Sequence, residues 1–150
     1  MKSSLKMSGA KALLATAALF AAGLVSAADR PYTEGPVTRI SYIKVKPGMW
    51  DAYLKWIATD RKALMEDYKK AGVILSWRVY AAESRSPREA DLILTVTYKN
   101  WAALDNLADK QDSIIERVQG PSEKQNQAAI GREQMREVLG NERIQELIIK

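Results

Sequence analysis

The sequence predicts an α+β fold in which helices cover one face of a four-stranded antiparallel sheet. Four segments are rich in β-branched and aromatic residues, which is typical of strands. Between them apolar residues recur every three or four positions, which is typical of amphipathic helices. The order strand, helix, strand, strand, helices, strand is that of a split βαβ motif. The length of 150 residues, 47% of them hydrophobic and 27% charged, fits one globular domain.

Residues 1–27 have the pattern of a secretory signal peptide. Three lysines and no acidic residue precede an apolar run at 12–25, which small residues follow. The run is shorter than the ~20 residues that span a bilayer, so we expect cleavage after Ala27 or Ala28 and no membrane span afterwards. The chain has no cysteine to carry a lipid anchor. The protein is therefore expected to be periplasmic or secreted.

Composition excludes several classes of function. The sequence contains no cysteine and no histidine, which excludes disulfides, thiol nucleophiles, thiolate metal sites and histidine-ligated haem. We expect no metal and no cofactor. Without the three lysines of the signal, 20 basic residues face 18 acidic ones. Because the two signs alternate along the chain and form no basic stripe, we expect no nucleic-acid partner.

The elements follow in order after the signal. Residues 28–36 contain two prolines and a glycine, which predicts an irregular leader arm before a single domain at 37–150. Four strands are predicted: 37–46, 73–80, 91–98 and 143–149. Three helical stretches are predicted: one from Trp50 that Gly72 stops, one that Asn100 caps and that ends at Gly120, and one that a capping box at 122–125 opens and that ends at Gly140.

The two faces of the predicted sheet differ in polarity. Alternation places an apolar set under the helices: Val73, Leu75, Trp77, Val79, Leu92, Leu94, Val96 and Tyr98. The opposite face is more polar but retains Ile and Tyr: Ile74, Ser76, Arg78, Tyr80, Ile93, Thr95 and Thr97. Contiguous apolar area on a surface usually marks an association site. We therefore expect two copies to meet through this face as a homodimer.

The strand order, with Val45-Lys46-Pro47-Gly48 leading directly into an aromatic helix, resembles the dimeric α/β barrel superfamily over residues 37–150. This superfamily includes antibiotic-biosynthesis monooxygenases and EthD-like and NIPSNAP-like proteins. The resemblance implies a ferredoxin-like fold, a homodimer, and a ligand cleft in each subunit between sheet and helices. In the monooxygenase and haem-degrading branches the cleft carries an Asn, Trp and His set. This chain offers Asn100 and Trp101 but no histidine.

Eight residues are candidates for binding a ligand in such a cleft. Tryptophan and tyrosine combine an apolar body with a polar tip, which suits a ligand pocket and equally suits an ordinary core. An arginine within an apolar strand needs an anion, an acidic partner such as Glu146, or open water. The candidates are Tyr42, Trp50, Trp77, Arg78, Tyr80, Tyr98, Asn100 and Trp101. Arg132 and Arg136 are expected on a solvated helix face beside Glu133 and Glu137.

The leading hypothesis is an exported homodimer that binds a small hydrophobic or aromatic molecule in an aromatic-lined cleft. One alternative is a cofactor-independent monooxygenase, isomerase or lyase acting on an aromatic or polyketide-like substrate, with a tyrosine or a buried carboxylate as the base. A second alternative is a structural or stress-related partner protein. The residues assign no catalytic group, and the sequence leaves open whether the protein is an enzyme.

Overall fold

The computed structural model describes residues 30–150, of which Pro31–Lys150 form one compact unit. The predicted signal peptide and its cleavage site lie outside the described residues. Four strands are present in this part: β1 (Tyr32–Val45), β2 (Ser76–Ala81), β3 (Leu92–Tyr98) and β4 (Arg136–Ile149). Three helices accompany them: α1 (50–70), α2 (Leu107–Gln119) and α3 (Ser122–Met135). Within residues 30–150 none of the helices is both long and apolar enough to cross a membrane.

The strands form one antiparallel sheet in the order β2-β3-β1-β4. With helices packed on one side, this is the ferredoxin-like arrangement, and the predicted α+β fold is confirmed. Val96 on β3 pairs with Arg39 on β1 and with Trp77 on β2, so these three residues share the helix-covered face. Thr38 and Thr97 belong to the opposite, helix-free face, where their hydroxyl oxygens lie 3.0 Å apart.

The core lies between the helix-covered face and the helices in two clusters. Ile43, Leu92 and Leu94 pack with Tyr53 of α1 in the first, and the second gathers Met65, Tyr68, Ile74, Val96, Tyr98 and Ile114. Trp77 packs against both clusters and donates from Nε1 to Oε1 of Glu66 at 2.9 Å. The indole therefore joins the two halves of the core and finds a hydrogen-bond partner at its edge.

Strand β1 begins at Tyr32, five residues before its predicted start. The segment expected as an irregular arm instead pairs with the end of the chain, since Tyr32 lies opposite Ile149. The register shifts between Glu34 and Val37, at the glycine and proline that predicted irregularity. A proline cannot donate to the ladder, and a β-bulge accommodates it. The predicted leader arm was thus wrong over residues 32–36. These residues form a strand because their pairing partners lie more than 100 positions later in the sequence.

Strand β2 begins at Ser76 and not at Val73. Ile74 is buried in the core, whereas Leu75 is 47% exposed, which is the reverse of the predicted alternation. The chain still wraps around the end of α1 at this point, because the N–H groups of Val73 and Ile74 both donate to the carbonyl of Tyr68. Strand alternation applies only from Ser76 onward.

The boundary between the last helix and the last strand lies earlier than predicted, because residues 136–140 belong to the strand and not to the helix. Helix α3 ends at Met135, and Arg136 opens β4 with extended backbone, pairing with Val45. The predicted capping box is also wrong, because Ser122 is the first helical residue and its side chain makes no cap. The side-chain amide of Gln125 instead donates to the carbonyl of Gly120 at 2.8 Å. One prediction for the earlier helices is confirmed and one holds in part. Gly72 follows α1 with a φ of +72°. Asn100 accepts the Ala103 N–H at 3.0 Å, but it caps a separate 3₁₀ turn at Trp101–Leu104 and not α2, which begins at Leu107.

Candidate functional site

A cavity of 550 Å³ lies between the helix-covered face and the helices. All three helices and strands β1, β3 and β4 contribute side chains to its wall. Its apolar part is formed by Leu94, Val96 and Tyr98 of the sheet, with Tyr68 of α1 and Ile115 of α2. The space therefore lies directly over the middle of the sheet and next to the second core cluster.

A polar pair on the sheet forms another part of the wall. Ser41 of β1 and Asn141 of β4 are paired across the ladder, and the serine hydroxyl donates to Oδ1 of Asn141 at 2.6 Å. Ser41 is buried, so this bond satisfies a hydroxyl that would otherwise be costly to bury. The side-chain NH₂ group of Asn141 can donate to a molecule in the cavity.

The cavity offers little for proton abstraction. Burial and the neighbouring Tyr98 raise the pKa of Tyr68 to about 12. At neutral pH roughly one Tyr68 in 10⁵ is then a phenolate, which makes it a weak general base. No aspartate or glutamate of residues 30–150 lines the cavity. The tyrosine or carboxylate base that the oxygenase hypothesis needs finds no support in this geometry.

Four arginines converge on the cavity from four different elements. Arg39 comes from β1, Arg61 from α1, Arg132 from α3 and Arg136 from β4. Burial, together with the charges of the other three arginines and against an opposing effect of Tyr53, lowers the pKa of Arg61 to about 10. The guanidinium of Arg61 nevertheless stays protonated at neutral pH. The four groups are close enough to repel one another.

Aromatic rings support two of these guanidinium groups. The Arg132 guanidinium lies 5.3 Å from the centre of the Trp56 ring, and that of Arg136 lies 5.8 Å from the centre of the Tyr53 ring. The two rings are themselves stacked, with centres 5.6 Å apart. Arg136 also makes an ion pair with Glu133 at 3.3 Å. Stacking on rings holds an arginine in place without neutralising its charge.

A π-helical turn places Arg61. Residues Ile57–Arg61 adopt this geometry within α1, between the α-helical parts Trp50–Trp56 and Lys62–Lys70. A π turn frees backbone carbonyls that an α-helix would use. The Thr59 hydroxyl compensates by donating to the carbonyl of Lys55 at 3.0 Å. The turn ends at Arg61, and π turns of this kind are frequent at functional sites.

The eight predicted ligand-binding residues are not brought together. Tyr98 lines the cavity, and Trp101 lines a neighbouring 450 Å³ cavity that shares Arg39. The other six lie elsewhere: Tyr42, Arg78 and Tyr80 on the helix-free face, Trp50 exposed at the start of α1, Trp77 in the core, and Asn100 as a cap. Arg78 is exposed on β2, which is an edge strand, and Glu146 lies on β4 at the other edge.

Sequence reasoning missed Arg39 and Arg61, and expected Arg132 and Arg136 in solvent. Two signals could have found the first pair. Arg61 falls four residues after Ile57 and four before Met65, on the buried stripe of α1. Arg39 shares its strand face with Val37 and Ile43. A charged residue at a core position of an element is informative, because it needs a partner there.

Comparisons with known proteins add similar folds at low identity. The sequence matches no protein-family model and no curated protein. One similar structure is HapK from Hahella chejuensis, at 16% identity and a TM-score of 0.49, with 73% of this chain and 91% of that chain covered. Another is a dimeric ferredoxin-like protein from an uncultured marine organism, at 10% identity and a TM-score of 0.49, with 79% and 98% covered. The fold assigned here rests on this chain's own strand order and helix placement.

Proposed function

We propose that the protein binds a small organic molecule with an aromatic or apolar body in the cavity between sheet and helices. One observation carries the proposal: a 550 Å³ space lies over the middle of the sheet, where a domain of this size would normally be filled by side chains. The volume falls in the range of roughly 300–1,000 Å³ that is usual for ligand pockets. Tyr68, Tyr98 and Val96 offer apolar contact, and Ser41 and Asn141 offer orienting polar groups.

We further propose that the protein is exported and acts as a homodimer. The lysines, apolar run and small residues of the first 27 positions support export. Half-exposed Tyr80, Ile144 and Ile148 on and beside the helix-free face support association with a second copy. Mass spectrometry of protein recovered from the periplasm tests export directly, since an N-terminus at Ala28 or Asp29 is expected.

The binding proposal is tested with a variant that fills the cavity. Ala129 of α3 lines the space, so Ala129→Trp places a bulky ring there. Ala108 is exposed on α2 and lines none of the cavities described above, so Ala108→Trp is the matched control. The probe is the neutral dye N-phenyl-1-naphthylamine, whose fluorescence rises in apolar surroundings.

We expect the parent protein and Ala108→Trp to bind the dye with the same affinity, and Ala129→Trp to bind it at least ~10-fold more weakly, a loss of about 1.4 kcal/mol. Circular dichroism establishes that both variants are folded. Equal binding by both variants would place the dye outside the cavity. Absence of binding of both this dye and 1-naphthoate to the parent protein would contradict the proposed function.

A further inference from the structure

We propose that the ligand of this cavity is an organic anion whose charged group lies among Arg39, Arg61, Arg132 and Arg136. This inference rests on the proposed function, because it specifies the chemistry of the molecule that the same cavity holds. A carboxylate attached to an aromatic or aliphatic body is the class that fits. The reasons are the charge balance of the wall, its unpaired donors and the position of its apolar part.

The wall carries four positive charges that nearby acids balance only in part. Asp60 and Glu133 both act on Arg132, but neither lines the cavity. Of the four arginines, only Arg136 makes an ion pair within the described part of the chain, and its partner Glu133 is largely exposed. The cavity wall contains no carboxylate among residues 30–150. Like charges brought together in a partly buried site repel one another in the absence of a counter-ion. An anion in the cavity would turn this repulsion into attraction.

Buried donors in the same place lack acceptors. The Nε groups of Arg61 and Arg136 are buried and have no hydrogen-bond partner in the structure of residues 30–150. A buried N–H group without an acceptor is destabilising and uncommon in folded proteins. A carboxylate has two oxygens that accept from guanidinium groups in a planar, two-point arrangement. In the cavity it would bind to the accessible parts of the same guanidinium groups and offset the cost of burying them, while the two Nε atoms themselves are closed to solvent.

Two acids elsewhere in the described residues show the kind of partner that most of the arginine cluster lacks. The Asp91 carboxylate lies 2.8 Å from Lys44 Nζ, and the Asp67 carboxylate lies 3.1 Å from Arg117 Nη2. An arginine cluster with a purely structural role would be expected to show similar partners. The cluster departs from this expectation beside a cavity that a ligand can enter, and sites that bind ligands commonly retain such unfavourable arrangements.

The apolar contacts explain why the anion is organic. Arg39 pairs across the sheet with Val96, and both line the cavity together with Tyr98 of the same strand as Val96. Tyr68 and Tyr98 continue the wall. A molecule with its carboxylate at Arg61 can place its ring or chain against the two tyrosines. Inorganic phosphate or sulfate would leave this apolar part unfilled.

The first test compares acids with their neutral amides by isothermal titration calorimetry. The pairs are benzoate and benzamide, 1-naphthoate and 1-naphthamide, and octanoate and octanamide, with sodium sulfate as the inorganic arm. We expect the acid of at least one pair to bind ten times more tightly than its amide and than sulfate. Added salt should weaken this binding, since charge attraction contributes to it.

The second test removes one charge from the cluster. Arg61→Met keeps an unbranched side chain about as long as the aliphatic part of arginine and removes the charge, and Arg88→Met makes the same change in the exposed loop between β2 and β3. We expect Arg61→Met to lose at least ten-fold in affinity for the acid and Arg88→Met to lose none. We also expect Arg61→Met to raise the Tm of the ligand-free protein by about 3 °C or more, because it removes a buried and unpaired charge. A structural arginine would lower it.

Each remaining outcome counts against the inference. If amides bind as tightly as acids, the cavity binds neutral molecules and only the anion inference fails. If sulfate binds as tightly as every acid, the site is one for inorganic anions. If the neutral dye binds in an Ala129-dependent way but no acid of the panel does, the proposed function stands and the anion class is wrong. If neither dye nor acid binds, both proposals fail.

Discussion

The carboxylate of Asp91 lies 2.8 Å from the ammonium group of Lys44. The same oxygen accepts from the Ser84 hydroxyl at 3.0 Å, and the second oxygen accepts from the backbone N–H of Val45 at 2.9 Å. The Asp91 N–H in turn donates to the carbonyl of Ile43. These contacts join the end of β1 to the residue that precedes β3. The Asp91 side chain therefore stabilises one end of the pairing between the two central strands.

We expect Asp91→Asn to lower the free energy of unfolding by about 1–2 kcal/mol, because the amide keeps the shape but loses the charge-assisted bonds. Lys44 and Asp91 are both about three-quarters buried as side chains, so solvent screens the pair only partly. Urea denaturation measures the change. Asp109→Asn, at an exposed position in the first turn of α2, is the control, with an expected loss of only about 0.5 kcal/mol from the interaction of its charge with the helix N-terminus. Equal effects of the two substitutions would contradict the assignment.

The same carboxylate makes stability depend on pH. Burial alone would raise the pKa of Asp91, but the bonds from Lys44, Val45 and Ser84 outweigh it and hold the pKa below the ordinary value of 3.8. The folded state therefore binds this proton less readily than the unfolded state, and the contribution of Asp91 is lost as the pH falls below about 3.8. We expect the stability gap between the parent protein and Asp91→Asn to be constant from about pH 7 to 5 and to narrow in stronger acid. A gap that widens there would refute this explanation.

Two glycines in helical surroundings should respond to alanine in opposite directions. Gly72 has a φ of +72°, which is strained for alanine, so Gly72→Ala should cost about 1 kcal/mol. Gly131 lies inside α3, and beyond the backbone of its own helix nothing lies within 4 Å of an added Cβ. Gly131→Ala should therefore raise the free energy of unfolding by up to about 1 kcal/mol. Thermal unfolding of the two variants measures both signs, and a shared sign would be the contradictory result.

The proposed homodimer is tested by introducing a charged side chain on the helix-free face of the sheet. Ile144 pairs with Thr38 on this face and is 50% exposed. A glutamate there would be buried at an interface between two copies, at a cost of several kcal/mol. We expect sedimentation to give a dimer for the parent protein and a monomer for Ile144→Glu. Ile130 is 63% exposed on α3, and Ile130→Glu should remain dimeric. A monomeric parent protein would refute the proposed dimer.

Local patterns predicted the elements of the fold, but not the ends that distant residues define. The buried positions Tyr53, Ile57 and Tyr68 of α1 and the alternation of β3 follow patterns that are complete within one element, and both were predicted correctly. The first residues of β1 become strand only because the last residues of β4 lie beside them. Likewise Arg136 leaves the helix because β1 offers it a partner in Val45. Single-sequence periodicity does not contain such pairings.

The candidate site was harder to predict because it is built from arginines, which are usually exposed, at positions that face the interior of the fold. Aromatic content drew attention to tryptophans, and Trp77 proved to be a core residue with its own partner in Glu66. Arg132 and Arg136 resembled a solvated helix face because acids flank both in sequence. In the structure the helix ends at Met135 and Arg136 begins β4, so the two arginines lie on different elements, and both line the cavity. Tyr98 is the member of the predicted set that lines the cavity.

The five residues of the π turn give α1 a wider winding beside the cavity, where Trp56 and Arg61 line the wall. Helix α1 accommodates one position more than regular winding between Trp56 and Lys62 would hold. Removing Ala58 would restore ordinary winding while the two ends of the helix, with Tyr53 and Tyr68, keep their places. Arg61 directly precedes the second of these ends, so its guanidinium would stay at the wall, and such a shortened chain would isolate what the wider turn adds to the shape of the cavity.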